Sequence, residues 1–564
     1  MSSLSDAMVL MPAAPPGPTN PSSVPAPATP SFSFDRFAVP RKIGFRDSGP
    51  ASILDGITRA ARGYADASDI LLNANPPCLP VSQWTQISVD DARLTHILNL
   101  FWSWDHHVSR MIHREIFHEA LKAGTQGAPR GALVRTEFCS SFMVNAMLAV
   151  GCMYSTEEVN FAVPGDVKTR GRKFADEAAR LLEIDRRDWP ISLTTVQGTI
   201  LLWIYESNIG DGNLGLRLLD DGYRLYGVLL DTFRADQPQQ PSSAQRQANS
   251  WEAISQFAWG TYWLAAKIDL TFSRPMRIRK PTMQIPTSDS GSSPFSGHLA
   301  QGSWVAYPMS LETQDSLYAE VFVAECQLAQ LIDEVLTFRE QSRSVSMTQE
   351  GIRRLYAKLV HWKESLPGNL QPFSTELPYV LLLHNTHDSL FLKLVEGLRS
   401  IPSTELSGQS LDTLRIAHAA SIMAGVWTFR ALYSIRREYW AMQGCFAAAV
   451  AMLEYLVPGT VQVDTFAKAC QALTEIGELL PLANSFLEGI KGLVKLSKVS
   501  IPRYGSKYLL DRRTTNVYTS SIRVSALHGQ GEGGIDGQDR DGGYGAFTFS
   551  ELLSDLSNPQ MQVD

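Results

Sequence analysis

The chain has 564 residues, a formal charge of −7 at pH 7, 44% hydrophobic residues and 19% charged residues. A domain that binds nucleic acid by itself normally carries a basic face, so the acidic balance argues against a DNA-binding role for the whole chain. It leaves room for a local basic patch. The six cysteines are scattered and form no CxxC pair, which argues against a structural zinc cluster and against a disulfide framework.

The start of the chain carries no basic residue before its short apolar patch, unlike a secretory signal. Its apolar runs are shorter than the roughly 18 residues that a membrane span needs. These features predict a soluble intracellular protein with no membrane partner.

Residues 1–50 are rich in Pro, Ser, Ala and Thr, with nine prolines in the first forty positions. Such a composition buries too little apolar surface to offset the entropy lost on ordering. We therefore expect residues 1–50 to be disordered.

From residue 51 to about 500 the dominant pattern is apolar side chains at helical spacing. Alternating strand patterns bounded by turn pairs are almost absent. The breaks at 235–250, 286–297 and 400–410 are interpreted as loops within one domain. The pattern predicts an all-α fold, a large multi-helix regulatory domain over residues 51–500 with disordered N- and C-terminal extensions. The predicted helical segments are 52–72, 95–112, 138–155, 173–187, 193–207, 216–231, 255–272, 318–340, 351–366, 382–398, 412–435, 443–457 and 466–490.

The end of the chain divides into a flexible Gly/Asp-rich linker, 501–545, and an acidic, aromatic tail, 546–564. Acidic residues keep such a tail solvated until a partner groove buries its apolar side chains. A tail helix that docks on its own domain is an equally good interpretation. The apolar side chains of this candidate activation segment are Phe547, Phe549, Leu552, Leu553 and Leu556.

Five of the eleven histidines lie within the 23 residues from His96 to His118. If the stretch is helical, His106 and His113 share one face and His107 and His118 share another. A zinc site on one helix needs its ligands on a single face, usually four residues apart. We therefore expect capping, packing or solvated histidines and no metal site.

IGDGNLG (209–215) contains a GxGxxG pattern, which in dinucleotide-binding folds follows a short buried strand. Here the preceding segment has helical spacing, so a glycine-rich turn between two antiparallel helices is the favoured interpretation.

LLHNTHDSL (382–390) brings His384, His387 and Asp388 together and could indicate acid–base catalysis. No nucleophile can be named beside these residues, so a half-exposed helix that contacts its neighbours is favoured. RPMRIRK (274–280) could be a nuclear-import signal or a phosphate contact, although a solvated loop is the commoner meaning of such a charge run.

Six motifs in a fixed order resemble the middle homology region of fungal zinc-cluster (Zn₂Cys₆) transcription factors. They are IHREIF (112–117), NAMLAVGCMYS (145–155), TTVQGTILLWIYE (194–206), WGTYWLAAKIDLTFSRPMRI (259–278), KLVHWKESLPGNLQP (358–372) and the pair RIAHAASIM and QGCFAAAVAML. The chain departs from the family pattern at Glu115, Ala265 and Ser273. The residues that carry the signature, with a structural role, are His113, Arg114, Phe117, Trp259, Gly260, Arg274, Pro275, Trp362 and Pro367.

The resemblance covers roughly residues 50–495 and implies the regulatory domain of a nuclear transcription regulator. Family members normally carry an N-terminal zinc cluster of six cysteines beside a basic stretch. No cysteine precedes Ile53 here. The chain is therefore expected to be the regulatory half without the DNA reader, with no cofactor of its own, and direct DNA binding is not carried over.

The leading prediction is a regulator of a metabolic gene set, such as a secondary-metabolite pathway. It is expected to act through its helical regulatory domain and through either a partner or a DNA reader that this sequence does not include. Its expected partners are the transcription machinery or a coactivator, a homo- or heterodimer with a DNA-binding regulator, and a small-molecule effector. Two alternatives stay open: a ligand-sensing or corepressor protein that kept only the helical core, and an all-α enzyme that uses the region of His384 and Asp388.

Overall fold

Within the residues that the computed structural model describes, α-helices form most of the structure, as predicted. These residues are 78–124, 133–235, 244–286, 302–310, 312–341, 345–398, 406, 408–497, 499–509, 523–525 and 546–548. The helices are α1 (Asp91–Trp104), α2 (Arg114–Ala123), α3 (Ser141–Met153), α4 (Arg172–Asp188), α5 (Leu193–Asn208), α6 (Gly212–Ala235), α7 (Ala244–Thr271), α8 (Tyr318–Gln341), α9 (Val345–Glu364), α10 (Pro378–Leu394), α11 (Leu411–Tyr433), α12 (Ala441–Met452), α13 (Val461–Gly477), α14 (Leu482–Leu496) and α15 (Arg503–Ser506).

Two short antiparallel hairpins complete the regular structure. Strand β1 (Ser303–Val305) pairs with β2 (Thr313–Asp315), and β3 (Arg523–Ser525) pairs with β4 (Ala546–Thr548). Phe547, the first residue of the candidate activation segment, lies opposite Val524 in the second hairpin. The other four residues of that segment, the segment 1–50 and the predicted helix 52–72 lie outside the described residues, as does the linker 501–545 apart from 501–509 and β3.

Several helices begin where a side chain caps the first turn. Asp90 accepts from the backbone N–H of Arg93 at the start of α1, and Ser140 accepts from that of Met143 at the start of α3. Ser192 and Ser410 do the same for α5 and α11. Each cap satisfies a backbone donor that has no partner inside the helix and thereby fixes where the helix begins.

The core is built around helices that are buried on every side. Every residue of α3 and of α5 is buried, and α10 is buried along nearly its whole length. Helices α1, α4 and α5 pack on α3, while α8, α9, α11 and α12 surround α10. One hydrophobic cluster runs from Leu79 to Leu493 through these helices, which supports the prediction of a single helical domain.

Three predicted boundaries were wrong. The segment 95–112 is not one helix, because α1 ends at Trp104 and a 3₁₀ turn follows at Ser109–Met111. The segment 466–490 divides into α13 and α14 around Pro481, which cannot donate a helical hydrogen bond. The predicted loop 235–250 is already helical from Ala244 onward.

In the described part of the chain, no helix combines the length and the apolar character that a membrane crossing requires.

Candidate functional site

Three of the family-like motifs, 112–117, 194–206 and 259–278, meet at an irregular segment between α1 and α2, here named the signature turn (residues 105–113). Asp105 follows the last residue of α1, and its carboxylate accepts from the backbone N–H of Val108 at 3.1 Å. The turn ends at His113, which begins α2. Its residues are buried, so its backbone groups need partners from other helices.

Two buried glutamines supply those partners. The side-chain amide of Gln197, in α5, donates to the carbonyl of Met111 at 2.8 Å. The amide of Gln256, in α7, donates to the carbonyls of Arg110 at 3.2 Å and Ile112 at 3.0 Å. These bonds hold three consecutive carbonyls of the signature turn, so α5 and α7 define its shape.

Gly260 allows α7 to approach the signature turn closely. A Cβ atom added at this position would lie 2.6 Å from the carbonyl carbon and oxygen of Arg110 and 2.7 Å from the backbone nitrogen of Met111. These are backbone atoms, which cannot swing aside. The glycine of the signature is therefore explained by contact between two backbones.

His113 connects the end of the signature turn to α7. Its Nδ1 accepts from the backbone N–H of Ile116 at 3.4 Å, which caps α2. Because Nδ1 accepts, the neutral ring carries its proton on Nε2, which donates to the Glu252 carboxylate at 2.8 Å. The signature histidine is a helix cap and an interhelical contact, as the capping interpretation expected.

Three further signature residues, Phe117, Arg114 and Trp259, hold neighbouring segments together. Phe117 is buried with its ring centroid 6.0 Å from that of Trp102, and the Arg114 guanidinium lies over the same indole at 5.4 Å. The Trp259 indole donates to the carbonyls of Met283 and Gln284 at 3.1 Å each. These contacts fix α2 against α1 and the chain after α7 against α7.

An ion pair lies at the centre of the signature turn. The guanidinium of Arg110 donates to the Glu325 carboxylate, in α8, at 2.8 Å, and both side chains are almost completely buried. The Arg110 guanidinium also lies 3.9 Å from the centroid of the Tyr318 ring. Burial raises the pKa of Glu325 to about 7 against the opposing effect of Arg110.

His107 links the signature turn to α7 and α10 through Lys267. The indole of Trp263 donates to His107 Nδ1 at 3.0 Å, so Nε2 carries the proton of the neutral ring. Nε2 lies 3.1 Å from the amine of Lys267, which also donates to Thr386 at 3.1 Å. Burial lowers the pKa of that amine to about 8.

Two buried carboxyl groups lie near this network. Tyr439 donates to Asp105 at 2.6 Å, and burial raises the pKa of Asp105 to about 6. The backbone N–H of Trp440 donates to Glu438 at 3.0 Å, and burial raises the pKa of that carboxyl group to about 8. At neutral pH, Glu438 therefore holds a proton for a large part of the time.

The histidine-rich stretch is thus a helix, a turn and a second helix, and the single-helix geometry assumed from sequence was wrong. The ring of His106 packs against Tyr379 with a centroid distance of 4.6 Å, and His118 packs against Trp102. His107 and His113 both contact α7, at Trp263 and Lys267 and at Glu252 respectively. In the described part of the chain, the one group of metal-ligating side chains that converge lies elsewhere, on α10 and α11.

The glycine-rich motif and the basic loop have local structural roles. Gly210 lies in the three-residue turn between α5 and α6, and the preceding segment is a helix, which confirms the turn interpretation and excludes a dinucleotide-binding strand. In the basic loop, the signature residue Arg274 precedes Pro275 and donates to the buried Asp269 at 2.7 Å. Arg277 pairs with Asp220 at 2.7 Å, whereas the two last basic residues of the loop are exposed.

Helix α10 is buried, so the half-exposed helix expected from sequence was wrong. The oxygen Oδ1 of Asp388 lies 3.4 Å from Nζ of Lys363 in α9, 3.1 Å from Nδ1 of His387 and 2.9 Å from Nδ1 of His418 in α11. We name these four residues the His–Asp cluster. His384 lies apart from them, because its Nε2 donates to the carbonyl of Leu370 at 2.8 Å.

The last two signature residues lie beside the histidines of α10, Trp362 next to His387 and Pro367 next to the turn that bonds His384. The indole of Trp362 stacks on His387 with a centroid distance of 5.2 Å and an interplanar angle of 16°. Pro367 begins the 3₁₀ turn Gly368–Leu370, which supplies the carbonyl that accepts from His384. Sequence reasoning found the tryptophan and the proline, but it did not find His418 as a partner of Asp388.

A surface cleft of about 560 Å³ lies between the segment 133–138 and the turn between α4 and α5. Arg135 lies 5.2 Å from the Trp189 ring and donates to the Asp185 carboxylate at 3.1 Å. Leu133 and Trp189 are partly exposed at its rim. Sequence reasoning gave no signal for this cleft, because its walls come from four separate segments.

Comparison with known proteins agrees with the motif order. Residues 98–363 match the family described as "Fungal specific transcription factor domain". The similarity to this domain covers just under half of the chain. The match includes all the signature residues except Pro367.

Similar proteins are fungal transcription factors. The chain is 24% identical over 78% of its length to nitrogen assimilation transcription factor nit-4 of Neurospora crassa. It is 24% identical over 77% of its length to notoamide biosynthesis transcriptional activator notL' of Aspergillus versicolor, and 23% identical over 65% to nitrogen assimilation transcription factor nirA of Emericella nidulans. These alignments span 40%, 68% and 40% of the respective relatives. No solved structure matches the chain.

Proposed function

We propose that this chain is a nuclear transcription regulator of a metabolic gene set. The observation that carries the proposal is the match of residues 98–363 to the fungal specific transcription factor domain. The names of the three relatives concern nitrogen assimilation and notoamide biosynthesis, which are metabolic pathways. They support a metabolic target and leave open which one.

The buried ionisable groups support a regulatory role over a catalytic one. His107, Lys267, Asp388 and His418 are buried and contact other protein side chains. A catalytic acid or base must reach the atom whose proton it moves. Loss of a measurable turnover on replacing His384, with the fold intact, would be required to favour an enzyme.

The helical core is proposed to receive a signal and to pass it to the transcription machinery or a coactivator. Helix α7 contacts the signature turn through Gln256 and Gly260, and it contacts α10 through Lys267. A small shift of α7 would therefore change its contacts with the signature turn and its contact with α10 at the same time. The acidic, aromatic tail after Ala546 is proposed to recruit the machinery.

The test is a reporter assay with the whole chain fused to an unrelated DNA-binding module. We expect transcription to rise above that of the module alone, and to fall severalfold when Phe549, Leu552 and Leu553 are replaced by alanine. The matched control replaces Ser554, Ser557 and Gln560 by alanine and should leave the reporter unchanged. A reporter that never differs from the module alone, under any nitrogen or carbon source, would refute the proposal.

A ligand-sensing protein is the second candidate function. The surface cleft beside Trp189 favours it, because its volume of about 560 Å³ lies in the range of small-molecule sites. Exclusion of the tagged protein from the nucleus under all growth conditions would support this alternative over the leading proposal.

A further inference from the structure

Three potential metal ligands converge inside the His–Asp cluster. The Nδ1 atoms of His387 and His418 lie 3.1 and 2.9 Å from one oxygen, Oδ1, of Asp388. The ligand atoms of the three residues all lie within 4.8 Å of one another, and all three residues are buried. Two imidazole nitrogens and a carboxylate oxygen are ligands that zinc prefers.

The hydrogen bonds of His387 direct a lone pair at this carboxylate. Its Nε2 lies 3.2 Å from the backbone carbonyl of Leu359, which can only accept, so Nε2 carries the proton. In the neutral ring, Nδ1 then points a lone pair at Asp388 Oδ1 from 3.1 Å. Two acceptors at this distance repel each other unless a proton or a cation lies between them.

Either a second proton on His387 or a bound cation between the two atoms would remove that repulsion. A metal ion accepts the Nδ1 lone pair while the ring stays neutral. Donation of the other ring N–H to a backbone carbonyl is the arrangement that orients metal-bound histidines in proteins.

Asp388 provides an independent sign of a missing partner. Its Oδ1 is shared by two imidazoles and the Lys363 ammonium, whereas its Oδ2 is buried without a hydrogen-bond partner among the described residues. A buried polar atom without a partner costs about 1–3 kcal/mol. A cation bound by the carboxylate would remove that cost.

We propose that the His–Asp cluster binds one zinc ion through His387 Nδ1, His418 Nδ1 and the carboxylate of Asp388. Ligands at about 2.0–2.1 Å around a tetrahedral ion lie roughly 3.3 Å from one another. The two Nδ1 atoms lie 3.1 and 2.9 Å from Asp388 Oδ1, which is close to that separation. The stacking of Trp362 on His387 and of Phe391 on His418 fixes both rings. The ion would tie α10 to α11 next to α9.

Lys363 competes with the ion in this proposal. Its ammonium lies 3.4 Å from Asp388 Oδ1 and neutralises the carboxylate when no metal is bound. The Lys363 side chain is partly exposed, so it can turn toward solvent when zinc enters. Replacing Lys363 by methionine should therefore strengthen zinc binding, whereas a purely structural cluster would only lose stability.

The test uses the full-length chain, stripped with a chelator and titrated with ZnCl₂ by calorimetry, with the metal content counted by mass spectrometry. We expect one zinc per chain, a loss of affinity of at least tenfold in His418→Gln, and tighter binding in Lys363→Met. The matched control is His361→Gln, an exposed histidine on α9, which should bind zinc like the wild type.

Two readouts keep the test decisive if His418→Gln folds poorly. Cobalt in place of zinc should give the visible absorption of a tetrahedral site in the wild type and in Lys363→Met. Equal zinc uptake by the wild type and a folded His418→Gln would overturn the proposal, and so would loss of uptake in Lys363→Met or the absence of uptake by the wild type.

Discussion

Replacing Gly260 by alanine should destabilise the domain although alanine is the better helix former. The new Cβ would meet backbone atoms of Arg110 and Met111 at 2.6–2.7 Å, about 1 Å inside ordinary contact. Overpacking of a tight core costs about 1–3 kcal/mol, and the helix propensity of alanine returns up to about 1 kcal/mol. The free energy of unfolding should therefore fall by about 1–2 kcal/mol.

Gly227 provides the matched control. It also lies inside a helix, α6, and an added Cβ would meet nothing within 4 Å. Gly227→Ala should therefore raise the free energy of unfolding by about 0.5–1 kcal/mol through helix propensity alone.

The assay is urea unfolding followed by circular dichroism on both variants and the wild type. The two alanines should shift the midpoint in opposite directions. The reasoning is refuted if Gly260→Ala is as stable as Gly227→Ala, because the helix would then not need to approach the signature turn so closely.

Two further variants test the buried network. Gln256→Leu leaves the carbonyls of Arg110 and Ile112 without their amide partner and should lower the free energy of unfolding in urea by about 2–3 kcal/mol. The control is Gln330→Leu, whose amide contacts a carbonyl of its own helix, and it should lower that free energy by less than about 1 kcal/mol. Equal losses in the two variants would contradict the role assigned to Gln256. The folded-state pKa of Glu438 is raised from 4.5 to about 8, so the folded protein binds the extra proton in that window and loses stability as the pH rises through it. Glu438→Gln removes this titration. Between pH 5.5 and 7.5 the wild type should therefore lose about 2 kcal/mol of unfolding free energy relative to the variant. A difference between the two proteins that stays constant over this range would show that Glu438 does not titrate in it.

The sequence predicted the helices well because each carries its own apolar pattern. Segments such as 138–155 and 193–207 contain α3 and α5 within a few residues of the observed ends. Their serine caps and apolar runs are local signals, so no knowledge of distant contacts was needed.

The sequence did not predict the buried polar network, because its partners are far apart in the chain. His113 meets Glu252 across 139 residues, and Arg110 meets Glu325 across 215. Polar residues on a helix usually face solvent, which is why α10 was expected to be half exposed. Here His387 and Asp388 are buried because they pair with each other and with side chains of α9 and α11.

The family motifs located the right positions without giving their physical reason. Gly260 and Trp362 were named from resemblance alone, and the structure explains the first by a backbone contact and the second by stacking on His387. Gln256 lies outside the family motifs and was missed.

Chromatin immunoprecipitation of the tagged full-length protein tests the central claim most directly, together with a copy truncated before Ala546. The account predicts discrete promoter peaks for both forms, with transcription of the bound genes lost in the truncated form. Absence of promoter peaks in every growth condition would contradict the proposal that this chain regulates transcription.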